Sequence, residues 1–128
     1  MLIRKLELNA EVKLVNLAAG EQNSSEFLKL NPLHQVPVLV DGDFVLTESR
    51  AILAYLVNKF QPGSSLYPTD PKARAIVDQR LYYDATAVFE SNAQIIVRNF
   101  SLEFQRAIIF IFFPSATCFI SELEKDSE

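Results

Sequence analysis

Apolar and polar positions along this chain follow two different rhythms. Val12, Leu14 and Leu17 alternate as in a strand, and Gly20 punctuates the run. Ahead of them, Leu2, Ile3, Leu6 and Leu8 are mixed with charges between Met1 and Leu8, the pattern of a helical end. Ser24 or Ser25 is placed to cap a short helix carrying Phe27, Leu28 and Leu30, which Asn31-Pro32 stops. Val38-Leu39-Val40 and Phe44-Val45-Leu46 flank Asp41-Gly42-Asp43. Because Asp-Gly favours the positive φ of a tight turn, these runs predict a β-hairpin. A helix then runs from about Ser49 to Phe60, with Ile52, Leu56 and Phe60 on one face toward a core.

Gln61-Pro62-Gly63-Ser64-Ser65 breaks the rhythm and reads as the opening of a linker. Asp70 followed by Pro71 is a strong helix start, since proline has no N–H to leave unsatisfied at the first helical position. Ala73, Val77, Leu81, Ala85 and Val88 form a stripe with nearly four-residue spacing, which predicts one long helix burying one face. The domain boundary is therefore expected near Gln61 to Asp70, dividing residues 1–64 from 65–128. No internal repeat is visible.

At 128 residues the chain suits one modest domain, or one small domain with part of another. Apolar residues make up 49%, enough for a core. A net charge of -4 offers no basic face, so nucleic acid is not an expected partner. The single cysteine, Cys118, excludes an intrachain disulfide framework and a cysteine-rich zinc site, and it fits a reducing compartment. With no secretory leader at the start of the sequence, a cytoplasmic location is the default expectation. Ala107 to Ile120 is very apolar, but Pro114 interrupts it and it falls short of the ~20 residues of a spanning helix, so no membrane partner is expected. His34 is the only histidine and stands apart from any carboxylate pair at ligand spacing, so no metal is expected.

Two segments carry candidate chemistry. Val36-Pro37 is a candidate cis peptide that would turn the main chain of Val36 outward, where an extended ligand backbone can pair as an added strand. Glu48-Ser49 falls at a helix start, where free N–H groups and the helix dipole seat a carboxylate. Each has a plainer reading: proline in an edge strand, and a helix cap. On residue type alone, His34 is a surface or structural histidine, Arg50 and Asp84 are salt-bridge formers, and Phe89, Tyr82 and Tyr83 are core aromatics.

Six segments in order change those odds. They are Val12-Lys13-Leu14-Val15-Asn16-Leu17, Phe27-Leu28-Lys29-Leu30-Asn31-Pro32, Val36-Pro37, Glu48-Ser49, Ser65-Leu66-Tyr67-Pro68, and the run Val77-Asp78-Gln79-Arg80-Leu81-Tyr82-Tyr83-Asp84. From about Leu8 to Arg98 the chain resembles the cytosolic glutathione transferases, most of all the insect delta and epsilon classes. The resemblance implies an α/β thioredoxin-like domain before the linker and part of an all-α domain after it. It implies reduced glutathione as co-substrate, a hydrophobic electrophile as second substrate, a detoxifying conjugation, and a homodimer.

It also assigns roles. His34 and Gln22 would meet the glycine end of glutathione, and Val36 beside Pro37 would pair with the cysteinyl backbone. Glu48 and Ser49 would hold the γ-glutamyl end, and Arg50 with Asp84 would lie behind it and favour the thiolate. Phe89 would line the electrophile pocket. In the family, a serine at the end of the first strand donates a hydrogen bond to the sulfur, lowering a thiol pKa that is ordinarily ~8.5. That serine corresponds to a position upstream of Met1, so no catalytic residue is assigned in this sequence. The resemblance thus implies an N-terminally truncated relative whose residues 99–128 are unmatched. Two other readings accompany these departures: a non-catalytic glutathione-binding or partner-binding relative, and a gene fragment that folds poorly because its sheet would lack a central strand.

Overall fold

The computed structural model describes residues 2–17, 19–89 and, as backbone, 118–125. They fall into two compact units, Met1–Pro62 with the C-terminal strand, and the part of Gly63–Pro114 up to residue 89.

In the first unit, α1 (Leu2–Lys5) leads into β1 (Leu8–Leu14), so Leu8 opens the strand rather than closing the helix. A 3-10 turn (Glu21–Asn23) precedes α2 (Ser25–Leu30). Ser24 is the cap residue, its hydroxyl accepting from the Phe27 N–H at 3.2 Å. β2 (Val38–Asp41) and β3 (Phe44–Thr47) form the expected hairpin. The turn uses Gly42 and Asp43 as its central pair, with the positive φ of 59° carried by Gly42, which has no Cβ to clash. α3 (Ser49–Phe60) lies back across the hairpin, placing the Tyr55 ring 5.2 Å from that of Phe44.

The sheet has the order β1-β4-β2-β3, where β4 is Cys118–Lys125. β4 runs antiparallel to β1 along its whole length and parallel to β2 through Val38↔Phe119 and Leu39↔Ile120. The place beside β2, where the resemblance implied a missing first strand, is taken in this sheet by the C-terminal segment Cys118–Lys125. A local pattern carries no information about a partner strand at the opposite end of the chain.

Both faces of β2 are sealed. Val38 packs with Val15 and Phe27, supported by Leu17, Leu30, Val36 and Val40. Leu39, pointing the other way, is equally inaccessible, and Leu6, Leu8, Ile52, Leu56 and Val57 complete the buried set. Phe60 is only half-buried, its ring lying 5.3 Å from the Lys59 ammonium, and Val57 takes the third buried position of α3.

In the second unit α4 (Pro71–Tyr83) begins as the sequence indicates, the Asp70 carboxylate accepting from the Ala73 N–H at 2.9 Å. Tyr67 donates to Asp78 at 2.9 Å, which pushes its phenol pKa up. Arg74 stacks over the Tyr67 ring at 4.5 Å while its Nε donates to the Pro68 carbonyl at 2.6 Å. The expected buried stripe is not found. Ala73, Val77 and Leu81 are half-buried, Ala85 and Val88 are exposed, and α4 has no fully buried residue. A π-helical segment, Asp84–Val88, follows α4, and its wider turn rotates later side chains off the line set by the earlier ones.

Candidate functional site

The hairpin register builds the site. Val38 pairs with Thr47, so the residues just before β2, Val36-Pro37, and those just after β3, Glu48-Ser49, come together at the open end of the hairpin. The Val36-Pro37 peptide is cis, and both residues are half-buried.

Asn31, a helix stop by its place in the sequence, organises the approach to this end. Its side chain is buried, donates from Nδ2 to the Gln35 carbonyl at 2.7 Å, and accepts at Oδ1 from the Leu33 N–H at 3.0 Å. Its own carbonyl accepts from the His34 N–H at 3.1 Å. One buried amide thus shapes the loop delivering His34 and Val36. A polar residue between a helix and a Val-Pro segment was the available signal, since an unpaired buried amide is costly and such groups are held by partners.

His34 sits in this loop with a positive φ of 59°, exposed, its Nδ1 donating to Asn23 Oδ1 at 2.9 Å. That bond fixes the ring and ties it to the 3-10 turn holding Gln22. Gln22 is half-buried, and its side-chain oxygen is enclosed with no hydrogen-bond donor among the described residues. A ligand donor reaching that oxygen would relieve a desolvation cost of about 1–3 kcal/mol.

Glu48 is the N-cap residue of α3 by position, but it makes no side-chain capping bond. Its φ of 69° and ψ of 106° are unusual for a residue with a side chain, a conformation that costs of order 1–3 kcal/mol and concentrates at functional sites. Ser49, the first residue of α3, accepts from Arg50 Nη1 at 3.0 Å. A hydroxyl used as acceptor keeps its own O–H for donation. The first turn therefore offers an exposed carboxylate, a hydroxyl backed by a guanidinium, and the helix N-terminal N–H groups, a combination suited to an ammonium beside a carboxylate.

Gln22, His34, Val36, Pro37, Glu48, Ser49 and Arg50 all belong to the first unit. Asp84, half-buried, and Phe89, exposed, belong to the second. Among the described residues no group of three or more His, Cys, Asp or Glu side chains is arranged to hold a metal ion, and no helix is long and apolar enough to cross a membrane.

Comparison with known proteins bears on the family. Residues 1–58 match the family model of the glutathione S-transferase N-terminal domain. The chain is 46% identical over 92 residues to glutathione S-transferase D7 of Drosophila melanogaster, covering 71% of this chain and 41% of that protein. It is 51% identical over 90 residues to glutathione S-transferase 1 of Manduca sexta, covering 70% and 42%. Among solved structures, a glutathione transferase homolog of Drosophila mojavensis with bound glutathione is similar at a TM-score of 0.68 and 46% identity, over 73% of this chain and 45% of that one. A Bombyx mori glutathione transferase is similar at 0.71 and 38% identity, over 86% and 53%. The chain spans about two fifths of the length of the two relatives compared by sequence. Through this matched portion the chain is similar to the cytosolic glutathione transferases, of the insect delta- and epsilon-like kind.

Proposed function

We propose that this domain holds reduced glutathione across the open end of its hairpin, and that it serves the conjugation of the glutathione thiol to hydrophobic electrophiles. One observation carries the reading: the register Val38↔Thr47 brings a peptide-pairing backbone and an anion-seating helix start to the same place. Glutathione has a matching sequence of groups. Its γ-glutamyl end offers an ammonium for Glu48 and a carboxylate for Ser49 and the α3 N-terminus. Its cysteinyl amide lies where the main chain of Val36 beside Pro37 can pair with it as an added strand. Its glycine end falls toward His34 and Gln22.

The site residues divide the labour. Arg50 polarises the Ser49 hydroxyl through their hydrogen bond and adds positive charge behind the γ-glutamyl group. Asp84 supports thiolate formation electrostatically, and Phe89 contributes to the electrophile pocket. Binding and orientation are the steps these side chains perform. No thiol-activating donor is assigned among these residues. The working assembly is a homodimer in the cytoplasm.

Calorimetric titration of glutathione into the chain and its Ser49→Ala variant tests this. A hydrogen bond to a charged carboxylate contributes about 1.5–3 kcal/mol, so affinity should fall on the order of 10- to 100-fold. Equal affinity in the two proteins would place the ligand elsewhere.

A further inference from the structure

We propose that the C-terminal strand β4 is a positioning element of the glutathione site, acting through β2. The inference rests on the site reading above and extends it to a segment with no role in that reading. β4 lies between β1 and β2, with antiparallel neighbours from Leu8↔Lys125 to Leu14↔Cys118 on one side and parallel neighbours at Val38 and Leu39 on the other. Val38 and Leu39 are the two most deeply buried residues of β2, and they directly follow Val36-Pro37. Without β4, β2 would be paired only to β3, in a two-stranded hairpin of the kind that is marginal in water. With β4 in place, the first two residues of β2 are held from both sides, and the main chain leading into them is anchored at one end.

The β1–β4 register contains its own anchor point. The pairing shifts between Ala10 and Glu11, since Ala10 faces Leu123 while Glu11 faces Ser121. Glu122 is therefore the extra residue of a bulge. Such an irregularity locks register, because sliding the strand by one residue would move the bulge and reverse the faces of its neighbours. β4 thus enters the sheet in one defined position, which is what a positioning strand requires.

Two measurements on the full chain test this. The first is a crosslink. Leu14 and Cys118 are opposite each other across antiparallel strands, a separation of roughly 4.5–5.5 Å between Cα atoms that a disulfide can bridge. Leu14 is 73% exposed, so Leu14→Cys leaves the core intact. Mild oxidation should give an intrachain disulfide in Leu14→Cys and none in Lys13→Cys, whose side chain faces the other side of the sheet. Absence of the Leu14→Cys crosslink, or equal crosslinking of both variants, overturns the placement of β4.

The second is Ile120→Pro, which removes an N–H from a central strand, compared with Ile120→Val. Ile120→Pro should abolish slow hydrogen exchange at Val38 and Leu39 and weaken glutathione binding at least tenfold, while Ile120→Val preserves both. Exchange lost with affinity intact overturns the positioning role. If the unmodified chain shows no glutathione binding while the crosslink forms, the site reading fails and the positioning role falls with it, leaving the strand placement supported.

Discussion

The two ends of the β2–β3 hairpin are built on opposite principles. At the turn, Asp41 accepts hydrogen bonds from both Tyr55 and Lys59 of α3, and Phe44 stacks on Tyr55. The Asp41 carboxylate there has both its partners within the chain, and the positive φ of the turn is carried by a glycine. At the open end, Glu48 holds a positive φ without the help of glycine, makes no capping bond, and presents its carboxylate to solvent, while Gln22 keeps an enclosed oxygen without a donor among the described residues. One end is satisfied and stabilises the fold. The other keeps groups uncommitted and strained, the state a site needs to bind a polar ligand.

Three substitutions break or sharpen that contrast. The largest effect is expected for Asn31→Ala. It deletes two hydrogen bonds of a buried side chain and leaves the Gln35 carbonyl and Leu33 N–H without these partners, at about 1–3 kcal/mol each. Urea unfolding should show an unfolding free energy lowered by a total of about 2–6 kcal/mol, and titration should show glutathione binding lost at conditions where the chain is still folded. A variant destabilised but binding normally would detach the loop from the site.

A smaller effect is expected at the closed end. Hydrogen bonds from Lys59 and Tyr55 hold the Asp41 carboxyl below its usual value of 3.8. A folded-state pKa below the unfolded one means stability that is present above about pH 4 and lost as acid titrates the folded carboxylate. Asp41→Asn should therefore cost about 1 kcal/mol near neutral pH, a modest figure because Lys59 is partly solvated, and should flatten the acid limb of the stability profile. Glutathione affinity should stay within twofold. A large affinity loss would show that the two ends are coupled.

The smallest stability change, opposite in sign, is expected for Glu48→Gly. Relief of the positive φ should stabilise the chain by about 0.5–1 kcal/mol in thermal or urea unfolding. Loss of the carboxylate should weaken glutathione binding on the order of 10- to 100-fold, as for a charge-assisted contact of about 1.5–3 kcal/mol. A variant that is less stable than the parent would mean that Glu48 contributes structural bonds rather than strain.

Much of the fold was legible residue by residue. Ser24 and Asp70 cap the helices they precede, Gly42 turns the hairpin, and α3 starts at Ser49, because each signal acts within a few positions of itself. The site positions were legible only through resemblance. Residue type left Val36 balanced between an edge residue and a backbone-pairing one, and made Glu48-Ser49 more readily a cap. Two features escaped altogether. Asn31 reads as a terminator because its local role is to stop α2, whereas its side-chain bonds form only once the loop has closed. The stripe after Asp70 loses its line at Ala85 and Val88, where a π turn at Asp84–Val88 changes the period, and hydrophobic spacing alone does not report that change.

What the sequence determined by itself, then, are the short-range decisions: which segments turn, where helices begin, and which residues can form a hairpin. These depend on backbone propensity and on groups a few residues apart. The tertiary structure alone decided that Cys118–Lys125 lies in the middle of the sheet, that the open end of the hairpin gathers Val36, Glu48 and Ser49, and that Asn31 is an organiser. Those outcomes depend on pairings between distant strands and on burial. Their energies appear only when far parts of the chain exclude water together, so no local pattern encodes them.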